Sequence, residues 1–204
     1  MDLTLTIIII TALASIAAFE SRRIFDRMLL SPYMIIHKKE WYRMITHGFI
    51  HAGWAHLLIN MLVFYSFGRA LIYYISNYIG HETVHFLVLY FGGMVFATLT
   101  TIVKNRNNYA YRGVGASGAV SAVMFACIFF NPWNKLLFMG IIPVPGIVFA
   151  VLYLVYCSYM SRNSHDNINH DAHLYGAVFG LVYPVLVKPD LLKLFTNLLL
   201  NPSY

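Results

Sequence analysis

Ser117 lies in the string Gly115-Ala116-Ser117-Gly118, at the start of an apolar segment. A serine hydroxyl is a weak nucleophile until a base takes its proton. The sequence offers a base in His173, within Ala172-His173-Leu174-Tyr175-Gly176, a stretch that runs on to Gly180. If a helix begins at Ser117, free backbone N–H groups and the positive helix end lie beside the hydroxyl. Those groups would stabilise an oxyanion. Gly115 and Gly118 would let the backbone turn and approach closely. The plainer alternative is packing, since small residues let apolar helices lie close together.

Gly176 and Gly180 are four apart and share one helix face, with His173 near it. A face this smooth packs tightly against a helix of small residues, which Gly118, Ser121 and Ala122 would supply. Close packing would then bring His173 to Ser117. The alternative for His173 is a polar residue at a helix end, bonded to a loop. A third cluster comprises His47, His51, His56 and Asn60. His56 and Asn60 are one helical turn apart, and both can donate hydrogen bonds to a developing negative charge. The alternative there is a set of histidines capping helices at an interface.

These residues must be positioned by apolar helices. The 204-residue chain is 59% hydrophobic and 11% charged, against about 25% charged in soluble domains. The composition predicts a polytopic all-α membrane protein, a single domain over 1–204, with helices at roughly Leu3–Phe19, Trp54–Tyr74, Val84–Val103, Ser117–Phe130, Val144–Met160 and His173–Val187. A span takes about 20 apolar residues, so the fourth is short. Leu3–Phe19 lacks a positive leader and a clean cleavage site, and is read as a retained span. Cys127 and Cys157 fall within spans and read as buried thiols. The net charge of +6 reads as Lys and Arg flanking the membrane, not as nucleic-acid binding.

The first connection, Glu20–Gly53, mixes Arg22, Arg23, Arg27, Lys38, Lys39 and Arg43 with Trp41, Tyr42 and many apolar residues, and suits a segment lying in the interface. Pro132, Pro143 and Pro145 interrupt the helical pattern between spans four and five. Loops one, three and five carry 10 of the 14 Lys and Arg, which by the positive-inside rule would face the cytoplasm.

His81-Glu82-Thr83-Val84-His85 matches the His-Glu-x-x-His pattern of zinc proteases, with two histidines on one face and a glutamate base. Catalytic zinc needs a third protein ligand, and later spans contain no Asp or Glu. His165, Asp166, His170, Asp171 and His173 are a further loop cluster without a metal-ligand spacing. No metal or other cofactor is expected. Asp171 is expected to cap the sixth helix, or to orient His173.

Together these strings resemble the rhomboid family of intramembrane serine proteases, from about Trp41 to Val187. The matching pieces are Tyr42-Arg43, His56 with Asn60, Gly115-Ala116-Ser117-Gly118, and Ala172-His173-x-x-Gly176-x-x-x-Gly180. The resemblance implies a six-span rhomboid-like bundle with a long interfacial first loop. It also implies a Ser117–His173 dyad without a carboxylate. His56, Asn60 and the Ser117 N–H would form the oxyanion hole, and Gly115, Gly118, Gly176 and Gly180 would support the packing. Transmembrane proteins in the lipid bilayer would be the substrates, with the site opening to the extracytoplasmic side, against the charge count. A multi-pass bacterial plasma-membrane protein is expected. The family usually has Trp-Arg where this chain has Tyr42-Arg43. Well-known bacterial members have an aromatic residue four after the serine, stacking on the histidine, where this chain has Ser121. The alternative from another class is an inactive rhomboid-like protein that binds membrane clients; the zinc protease is third.

Overall fold

The computed structural model describes residues 2–138, 140–163, 166 and 168–202. Helix α1 (Leu3–Glu20) leads into a folded connection of three short helices, α2 (Arg22–Met28), α3 (Pro32–Lys38) and α4 (Arg43–Thr46), and a 3-10 turn at His47–Phe49. Helices α5 (Trp54–Tyr78), α6 (Glu82–Asn105) and α7 (Ser117–Phe130) follow. A hairpin of β1 (Lys135–Phe138) and β2 (Ile142–Pro145) precedes α8 (Gly146–Asn163), α9 (His170–Val187) and α10 (Leu191–Leu200). The six helical segments expected from the sequence are present, with ends within a few residues of those read.

Helices α1, α5 and α6 are long and apolar enough to cross a membrane. Their outer faces expose Leu5, Ile9, Leu13, Leu58, Ile59, Leu62 and Val103, a distribution that soluble monomers avoid. Helix α7 has only 14 residues, about 21 Å at the usual rise, and every residue from Gly118 to Phe130 is buried. It forms the centre of the bundle, packed on α9, α6 and α5. A short helix suffices there because α7 starts inside the protein and the other helices surround it.

The tightest approach is between α7 and α9. A Cβ on Gly176 would meet the Gly118 carbonyl, and one on Gly180 would meet the Ala122 carbonyl. Gly118 in turn sits against Ala97 of α6 and the Ala172 carbonyl. Backbone-to-backbone contact of this kind needs residues without side chains.

The first connection is held by Arg43, whose guanidinium is buried. It donates to the carbonyls of Asp26 at 2.8 Å and Leu29 at 2.9 Å and pairs with Glu40 at 2.6 Å. Thr46 Oγ1 adds a bond to the Met28 carbonyl at 2.9 Å. The segment thus folds around one satisfied charge, with Trp41 and Tyr42 exposed at its edge.

Two elements were not expected. The proline-bearing loop forms an antiparallel hairpin with Lys135 opposite Pro145 and Leu136 opposite Val144. The tetrads Lys-Leu-Leu-Phe and Ile-Pro-Val-Pro flank Gly140, whose φ of +76° suits a turn, and a two-stranded ribbon tolerates proline at its edges. The tail forms the amphipathic α10, which buries Leu191 and stacks Phe195 on Phe129 of α7 at 4.9 Å.

A side chain at Gly176 has no room. Gly176→Val should lower stability by about 1–3 kcal/mol or prevent folding, measured by thermal unfolding in detergent. The same change at half-buried Gly53, where an added Cβ meets nothing, should cost far less.

Candidate active site

Helix α7 begins at Ser117 with Ala116 as its N-cap and no side chain capping it. Its first intrahelical bond is Val120 N–H to the Ala116 carbonyl, 2.9 Å. The N–H groups of Ser117, Gly118 and Ala119 therefore have no acceptor within the helix. The Ser117 side chain is half-buried. A cavity of about 30 Å³ adjoins it, lined by residues that include His47, Thr98, Gly115 and Asn169, enough room for a water molecule or two.

The turn before Ser117 is fixed by the first connection. Leu30 and Gly113 exchange backbone bonds of 2.8 and 3.0 Å, and Gly115 N–H donates to the His47 carbonyl at 2.9 Å. Ala116 N–H donates to His51 Nε2 at 3.4 Å. Since Nε2 accepts, Nδ1 carries the proton and donates to Ser15 Oγ at 3.0 Å; that hydroxyl donates to the Phe49 carbonyl at 3.1 Å. His51 thus couples α1, the first connection and the turn before Ser117. Burial, with His56 and His47 nearby, pushes its pKa down to about 3. Burial likewise pushes His47, bonded through Nδ1 to the Arg43 carbonyl at 2.9 Å, down to about 4.

Gly115 has φ +113°, a conformation that side chains resist. A Cβ there would lie 2.6 Å from His56 Cε1, so the His56 ring covers the turn beside Ser117. His56 also meets His51 edge to face at 4.9 Å. Asn60 is buried one turn along α5, with Nδ2 donating to the His56 carbonyl at 2.9 Å.

His173 enters on α9. Gly118 touches the Ala172 carbonyl and Gly176 touches the Gly118 carbonyl, so residues flanking His173 lie directly on the first turn of α7. Among the described residues no hydrogen bond joins Ser117 and His173. The structure thus brings Ser117, His56 and the helix bearing His173 to one end of the bundle, with Gly115, Gly118, Gly176 and Gly180 at the points of closest approach.

The start of α9 is set by Asn169, a residue not expected to have a role. Its Oδ1 accepts from Ala172 N–H at 3.0 Å, and its Nδ2 donates to Thr101 Oγ1 at 2.9 Å and Tyr111 Oη at 3.0 Å. Asn169 is therefore the cap, correcting the assignment to Asp171. Asp171 pairs instead with Lys104 at 2.7 Å, so its carboxylate is engaged away from His173. An asparagine just before an apolar stretch is a cap signal.

The competing metal motif is otherwise occupied. His85 Nδ1 lies 2.8 Å from Tyr183 Oη, and His81 is the helix cap at φ +45°. No three ligand-type side chains converge among the described residues. His165 of the loop cluster lies outside the described residues; its neighbour Asp166 bonds His170 Nε2 at 3.2 Å.

Two outcomes follow from this geometry. Gly115→Ala should cost about 1–2 kcal/mol of stability from its backbone conformation alone and should displace His56, seen as a changed His56 ring resonance. For His51 and His47, folded pKa values below the ordinary 6.5 mean that the unfolded chain takes up protons first. Stability should be full above about pH 6.5 and fall as pH drops from there toward 4. Thermal unfolding across that range should show the loss, and His51→Gln should flatten it.

The chain is similar to known proteins over most of its length. The family model described as the Rhomboid domain matches residues 38–190. The protein YdcA of Bacillus subtilis (strain 168) is 30% identical over 147 residues, covering 72% of this chain and 67% of its own length. RHOMBOID-like protein 12 of Arabidopsis thaliana, a mitochondrial protein, is 25% identical over 190 residues, or 83% of this chain and 55% of the relative. The Bacillus subtilis rhomboid protease GluP is 27% identical over 146 residues, 72% of this chain and 26% of that protein. The chain therefore spans between about a quarter and two thirds of these relatives' lengths. The domain match covers most of the chain, including Ser117, His173, His56 and Asn60, and places this protein in the rhomboid family.

Proposed function

We propose that this protein is an intramembrane serine endopeptidase, a single domain of six membrane spans that cleaves transmembrane proteins in or near their spanning helix. The observation that carries the reading is the contact of Gly176 with the Gly118 carbonyl, which seats the helix bearing His173 on the turn bearing Ser117. Ser117 Oγ attacks the scissile carbonyl carbon while His173 takes the hydroxyl proton. The tetrahedral oxyanion is held by the Ser117 N–H, which has no acceptor in its helix, by His56, and by the second amide proton of Asn60. Collapse breaks the C–N bond as His173 returns the proton to the leaving amine. Water then hydrolyses the acyl-enzyme by the same route in reverse roles.

A substrate helix hides its carbonyls in i→i−4 bonds, so cleavage needs local unwinding. Glycine or proline near the scissile bond lowers that cost. Helices α1, α5 and α6 meet the length for crossing the bilayer, and α7, α8 and α9 complete the bundle. The site opens to the extracytoplasmic face of a bacterial plasma membrane, an orientation drawn from the family and not from charge.

A model single-span substrate, incubated with reconstituted protein, should be cleaved by wild type. Cleavage should fall by about 10⁴-fold or more in Ser117→Ala and in His173→Ala. His56→Ala and Asn60→Ala should each lose about a hundredfold. A serine-directed fluorophosphonate should label wild type and not Ser117→Ala. Cleavage by Ser117→Ala would overturn the reading; folded wild type that binds without cleaving would favour a client-binding rhomboid-like protein.

A further inference from the structure

The His173 side chain has no hydrogen bond among the described residues, so its orientation must come from packing. One face of the imidazole lies parallel to the Tyr153 ring of α8, with 11° between planes and centroids 6.3 Å apart, an offset-stacked arrangement. His170 meets the same imidazole edge-on at 6.2 Å. Tyr153 is itself confined. Phe125 of α7 lies 5.3 Å away and Phe149 of α8 5.6 Å away. Its hydroxyl bonds Ser121 Oγ at 2.9 Å.

Ser121 is one helical turn beyond Ser117 on α7, and so lies on the same face. A buried hydroxyl in an apolar bundle is costly unless paired, and the Ser121–Tyr153 bond satisfies both groups. Three helices are thereby linked: α7 carries the nucleophile and the tether, α8 carries the platform, and α9 carries the imidazole.

We propose that Tyr153 is a positioning residue for His173, and that Ser121 holds Tyr153 in place. This rests on the reading of His173 as the catalytic base. The stacked ring limits rotation of the imidazole about its side-chain bonds. Ser121 fixes the height of the platform relative to Ser117. Neither residue touches the reacting atoms. The titratable groups near the imidazole are His170, His56 and Asp166, and all three are left intact in the variants below.

The test uses the full chain, reconstituted with a model single-span substrate, with folding checked by thermal unfolding. Tyr153→Leu should lower kcat by about tenfold to a hundredfold, the scale of a misplaced catalytic group, with KM unchanged. Tyr153→Phe keeps the ring and loses the tether, as does Ser121→Ala. Each should cost about fivefold in kcat, and the double variant should be no worse than either single one. Folded Tyr153→Leu with kcat within about twofold of wild type would overturn the inference. If the leucine variant does not fold, multiplying losses in the double variant overturn it and non-additive losses support it. Should Ser117→Ala cleave as wild type does, the catalytic reading itself fails. Wild-type kcat in Tyr153→Leu, with Ser117→Ala inactive, removes only the role of Tyr153.

Discussion

The structure depends on the direct contact of two helix backbones, α7 and α9, at Gly118 and Gly176 and again at Ala122 and Gly180. Between apolar helices in lipid there is little hydrophobic gain from association, so van der Waals contact must supply it. Removing side chains maximises that contact and allows a 14-residue helix to sit wholly inside the bundle. The same contact brings the segment holding His173 onto the first turn of α7. The packing reading of the glycines holds, and the same glycines set what lies beside Ser117. The residues that pack the helices are also those that assemble the candidate site.

The second constraint comes from the connection between α1 and α5. It folds around the buried Arg43 guanidinium and then spends its backbone on the turn before Ser117, through Leu30, His47 and His51. That division leaves the first N–H groups of α7 without acceptors while fixing where they point. Preorganised donors cost nothing to reorient when charge develops, so a rigid turn with unspent donors has chemical value. Neutral His51 is part of that rigidity, because protonation at Nε2 would remove the acceptor for Ala116 N–H.

Polar groups in the bundle follow the same economy. Asn169 caps α9 and ties it to α6 and the loop before α7, while Ser121 and Tyr153 satisfy one another across α7 and α8. Each pair joins elements that the apolar contacts alone would let slide. The imidazole of His173 consequently lies within a frame set by three neighbouring helices, although it forms no hydrogen bond of its own among the described residues.

The sequence by itself determined the helical class, the six segments to within a few residues, and the glycine faces, because hydrophobic length and the 3.6-residue period are local properties. It also marked Ser117, His173, His56 and Asn60, because their residue types and one-turn spacings carry chemical meaning before folding. The hairpin at Lys135–Pro145 and α10 were not read, as short apolar stretches near prolines look alike in helix, strand or loop. The tertiary structure decided what depends on residues distant in the chain. It made Asn169 and not Asp171 the cap, engaged His85 with Tyr183, bound His51 to Ala116, and laid Tyr153 on His173. Those pairings join positions up to 98 residues apart. No periodicity records them, because the partners become neighbours only when the glycine contacts close the bundle.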